Sequence, residues 1–127
     1  MSAASFLWVA LGGALGSVSR YWLAAVVAGL TGPQFPWGTL LINVAGSFLI
    51  GWFGSWTGSH GPAEVPPDIR LFVMVGICGG FTTFSSFSLQ TLELMQAGEM
   101  VRAGGYIVGS VVLCLLGVWA GVTWGRA

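Results

Sequence analysis

Charge is what this sequence has least of. Only 6% of its 127 residues are charged, against about 25% in an ordinary soluble domain. That shortage excludes a water-facing surface over most of the chain, and membrane lipid becomes the expected neighbour. Lysine is absent. Arg20, Arg70, Arg102 and Arg126 are all the basic residues, and Glu64, Asp68, Glu93 and Glu99 balance them. Such a set makes no basic patch, so nucleic acid is excluded as a partner. No acid precedes Glu64, so no carboxylate is available to carry protons through the first half of the chain. His60 stands alone in a polar loop. Cys78 and Cys114 lie in apolar stretches without metal-ligand spacing and read as small buried hydrophobes. No nucleophile–base set, metal cluster or phosphate loop occurs, which excludes an enzyme. Residues 1–19 carry no charge, so the positive start of a secretory signal is missing. The first apolar stretch reads as a retained span.

What is present is a set of long apolar runs. Residues 1–19, 21–63, 71–92 and 103–125 contain no Asp, Glu, Lys or Arg. A membrane-crossing helix needs about 20 mostly apolar residues. The turn signal Thr31-Gly32-Pro33-Gln34-Phe35-Pro36 divides the longest block. The stretch from Gly58 to Asp68 reads as an exposed loop. Four spans result, at about 5–29, 38–57, 69–97 and 101–124, in a single transmembrane domain. The runs lack the alternation of a barrel strand, so the fold class is an all-α membrane protein.

Small residues four apart (Gly12 and Gly16; Gly105 and Gly109; Gly117, Gly121 and Gly125) predict close helix packing. Trp8, Trp22, Trp37, Trp56 and Trp124 sit near span ends, as an interfacial belt requires. The arginines show no bias between sides. Arg70 and Arg126 fall on one side, Arg102 and Arg20 toward the other. The positive-inside rule therefore sets no orientation, which hints at insertion both ways round.

The third span holds the least lipid-like piece, Gly79-Gly80-Phe81-Thr82-Thr83-Phe84-Ser85-Ser86-Phe87-Ser88. Paired glycines are poor helix formers, and five hydroxyl residues follow them. The expectation is a break near mid-span, where freed carbonyls can coordinate a cation. The alternative is a continuous helix whose hydroxyls bond back to carbonyls one turn earlier. Phe84 and Phe87 share a helix face. Their positive ring edges can attract a small anion, or the rings can simply face core or lipid. Asn43 lies in an apolar run, one turn after Thr39. Its amide offers two donors, suited either to an anion or to a helix–helix hydrogen bond. Arg20, deep in span 1, either snorkels to the interface or draws anions into a vestibule.

The strings GTLLINVAGSFLIG (residues 38–51) and GGFTTFSSFS (residues 79–88) resemble the Fluc (CrcB) fluoride channels. The likeness runs from Gly12-Gly13 and Arg20 to Tyr106 and Ser110. It implies a dual-topology antiparallel homodimer with two pores in a bacterial-type inner (plasma) membrane, exporting fluoride passively from the cytoplasm. It implies that Asn43 lines the pore and that Phe84 and Phe87 box the ion, with Ser85 and Ser86 between them. Ser110, Thr39 and Tyr106 would mark a polar track. It also implies a structural sodium ion at the dimer axis, held by the carbonyls of Gly79 and Thr82. Many relatives carry an acid where this chain has Gln90. Two rivals stand beside this reading. A small dual-topology multidrug exporter would need an acid in span 1. A non-transporting scaffold subunit would leave the polar third span unexplained.

Overall fold

The computed structural model describes residues 1–127 and contains helices and loops only. Helix α1 (Ala3–Thr31) starts at Ser2, whose hydroxyl accepts from the Ser5 N–H at 3.1 Å. It stops at Gly32, where φ is +79°, a left-handed turn suited to glycine. Helix α2 (Trp37–Trp56) follows Pro36 and ends at Thr57. The third span begins at Pro67, a residue whose missing N–H costs nothing at a helix start. Its first half, α3, covers residues 67–81, and Leu71–Cys78 within it is wound with wider π turns. Its second half is α4 (Phe84–Gln96). A left-handed turn at Gly98 (φ +78°) leads into α5 (Met100–Arg126). Four helical segments, Ala3–Thr31, Trp37–Trp56, Pro67–Gln96 and Met100–Arg126, are long and apolar enough to cross a membrane. The expected break falls at Thr82 and Thr83, whose backbones are both extended.

Two helix pairs make the bundle. Helix α1 lies along α3, and α2 lies along α5. Glycine permits both contacts. A Cβ placed on Gly12 would stand 2.9 Å from the Gly76 Cα, closer than side-chain carbons are found. Across the other pair, a Cβ on Gly121 would meet the Trp52 nitrogen at 2.8 Å. Without a hydrophobic drive between helices in lipid, such backbone approach gives the dispersion contacts that hold them together. The third ridge differs: Cβ atoms on Gly105 and Gly109 would meet nothing. That face of α5 has no partner within the chain.

Burial is sparse. Only 16 of 127 residues are buried, while Leu7, Leu11, Leu15, Val18, Leu115 and Leu116 point outward. This distribution suits a small bundle solvated by acyl chains. It is a multi-pass membrane protein.

Candidate functional site

The break can be read bond by bond. In a continuous helix each carbonyl accepts from the N–H four residues on. The Gly79 carbonyl would take the Thr83 N–H, but that N–H donates to Asn43 Oδ1 at 2.8 Å. The Thr82 carbonyl would take the Ser86 N–H, but that N–H donates to the Thr83 hydroxyl at 3.1 Å, an N-cap for α4. The Thr83 carbonyl accepts from Asn43 Nδ2 at 3.0 Å instead. The Gly80 carbonyl accepts from Arg20 Nε at 3.1 Å. Cys78 keeps its helical donor, the Thr82 N–H at 3.0 Å, and gains the Thr82 hydroxyl at 2.8 Å. Side chains from α1 and α2 therefore satisfy part of the interrupted ladder. Gly79 and Thr82 have lost their helical donors and keep carbonyls open.

Asn43 thus makes the helix–helix hydrogen bond, twice over, and retains one amide hydrogen. Arg20 turns inward to the break and is half-buried. Both partners lie 40 or more positions away in the chain, so the sequence alone names neither.

Beside the break lies a cavity of about 430 Å³. Asn43, Thr82, Phe84, Phe87 and Ser110 line it, together with Gly79, Thr83, Ser47, Cys78 and Cys114. No carboxylate does. The Phe84 and Phe87 rings are 5.4 Å apart, inclined at 49°. Phe87 continues to Tyr106, centroids 5.0 Å apart. Phe84 is 79% exposed, so within one chain only one side of it is covered. The Ser110 hydroxyl is buried and has no hydrogen-bond partner. A buried polar group without a partner costs about 1–3 kcal/mol, so its presence on this wall points to a ligand. Of the two serines between the rings, Ser85 meets the Thr83 hydroxyl at 3.3 Å. Ser86 engages Thr83 through its backbone.

A second, wider cavity of about 630 Å³ opens at the end that carries the short loops after α1 and α4. Thr39, Gln90, Glu93 and Arg102 line it. Tyr106, fully buried, donates its hydroxyl to Gln90 Oε1 at 2.8 Å. Contacts run from this mouth inward: Gln90 to the Tyr106 hydroxyl, the Tyr106 ring to the Phe87 ring, and Phe87 to the cavity of Asn43 and Ser110. Thr39 stands at the mouth, away from the central cavity. Thr83 is the residue that sequence reasoning left without a role. Its signal was present, a threonine just ahead of a renewed helical run, which is where an N-cap belongs.

Comparison with known proteins places these residues in a family. A family model described as CrcB-like protein, Camphor Resistance (CrcB), matches residues 7–122. A protein of Methylocella silvestris named fluoride-specific ion channel FluC is 64% identical over 116 residues, covering 91% of this chain and 88% of its own. Proteins of the same name from Opitutus terrae (58% over 116 residues; 91% and 88% covered) and Rhodospirillum rubrum (57% over 117 residues; 92% and 91% covered) agree. With nearly its whole length matched, the chain belongs to the CrcB-like family.

Proposed function

We propose that this protein is a fluoride-selective channel that lets fluoride leave the cytoplasm across the inner membrane. The names of its relatives support that reading, and one structural observation carries it. Asn43, Phe84, Phe87 and the partnerless Ser110 hydroxyl share one cavity at membrane depth. Taking a bare anion from water into a low-dielectric medium costs on the order of tens of kcal/mol. The path must supply donors in place of water: the free Asn43 amide hydrogen, hydroxyls, and ring edges. No proton carrier is needed for passive flow, and none stands in the cavity. The exporter alternative lacks support, because spans 1 and 2 hold no carboxylate.

The working unit in this reading is an antiparallel homodimer. The open Gly105–Gly109 ridge and the uncovered Phe84 ring support a second copy. The balanced arginines are compatible with insertion in both orientations. A structural sodium ion at the dimer axis belongs to the same reading. Hard cations at helix breaks take carbonyl oxygens, and Gly79 and Thr82 carry the carbonyls that lost their helical donors. The test is fluoride efflux from proteoliposomes. Phe84→Ile and Asn43→Asp are expected to abolish efflux; near-normal flux in both would overturn the site assignment.

A further inference from the structure

The hydrogen bond from Arg20 to Gly80 has a consequence for the break. Three successive carbonyls leave the end of α3 without helical donors, those of Gly79, Gly80 and Phe81, because α3 stops there. The middle one, on Gly80, accepts from Arg20 Nε at 3.1 Å. Three residues on, Asn43 holds both backbone groups of Thr83, at 2.8 and 3.0 Å. The two side chains come from different helices: Arg20 holds the backbone just before the extended pair Thr82–Thr83, and Asn43 holds Thr83 itself. Arg20 reaches Gly80 because Gly16, one turn earlier, lies against the backbone of residues 77–81. A positive group at a helix C-terminus is also favoured by the helix dipole.

We propose that Arg20 is a positioning residue, acting through its Nε–H rather than through its charge alone. It holds the Gly80 carbonyl aside. The carbonyl cannot then recapture the Phe84 N–H, so the third span does not rewind across the break. The carbonyls of Gly79, Phe81 and Thr82 stay without helical donors. Asn43 is the second grip, on Thr83. The role differs from attracting ions in a vestibule, and the chemistry separates the two.

In Gln the amide nitrogen occupies the same position along the side chain as Nε does in Arg. Arg20→Gln therefore keeps a donor and removes the charge. Arg20→Met removes both at similar length. Threonine-labelled protein in bilayers would report the break directly, through the backbone carbon shifts of Thr82 and Thr83 in solid-state NMR. In Arg20→Gln these shifts are expected to stay in the extended range. In Arg20→Met they are expected to move toward helical values or broaden. Fluoride efflux should follow the same ranking, with Met lower than Gln by roughly fivefold, the scale of one neutral hydrogen bond. Equal behaviour of the two variants, whether both intact or both unfolded, would overturn the assignment. The shift measurement stands whether or not the chain conducts fluoride, so it fails or succeeds separately from the channel reading.

Discussion

At the scale of single residues, the informative groups are those whose polar atoms do something unusual. Asn43 uses its amide as a strand would use its backbone, donating to and accepting from Thr83. Ser110 does the opposite and leaves a buried hydroxyl unpaired. A group kept for folding would have a partner; a group kept for an ion would not need one. Ser110→Ala is therefore expected to leave thermal stability within about 0.5 kcal/mol of wild type or raise it. Fluoride flux is expected to fall several-fold in the same variant. Thermal melts and efflux on one preparation check both halves; a destabilised variant with normal flux would show the hydroxyl to be structural. Residue identity was legible in the sequence here, and partner identity was not. An asparagine in an apolar run announces a hydrogen bond, but its acceptor lies forty positions away. Arg20 shows the same limit, since its inward turn depends on Gly16 letting α3 come close.

At the scale of elements, small residues decide which helices touch. The four spans were readable from charge-free runs, because lipid tolerates few alternatives to a helix. The break was readable too, since paired glycines and clustered hydroxyls weaken a helix locally. Its bounds follow from the Thr83 N-cap and the extended Thr82. The three glycine ridges looked alike in sequence. Two of them bury against neighbours and one stays open, a difference that only tertiary packing creates. Gly76 sits at a close point of the α1–α3 contact, where an added Cβ would stand 2.8 Å from the Gly12 Cα. Gly76→Ala must push the helices apart, and a loss of about 1–3 kcal/mol is expected, the usual scale of overpacking. Gly104→Ala meets open space and should cost nothing measurable. Equal melting temperatures for the two variants in detergent would contradict this account of the packing.

At the scale of the whole molecule, the chain is a thin bundle with a broken span and a polar route beside the break. Its outside is apolar, its mouth carries Glu93, Glu99 and Arg102, and its central cavity holds no charge. A route of neutral donors favours a small, strongly hydrated anion over a larger one, because tight donor contacts recover more of the lost hydration. The strings in spans 2 and 3 carry this reading in the sequence itself. The direct check is halide flux from liposomes containing the purified wild-type chain, with fluoride and chloride compared at equal gradients. Rapid fluoride efflux with chloride near the leak of empty vesicles is the predicted result. Equal rates for both ions, or no fluoride flux above the empty vesicles, would contradict it.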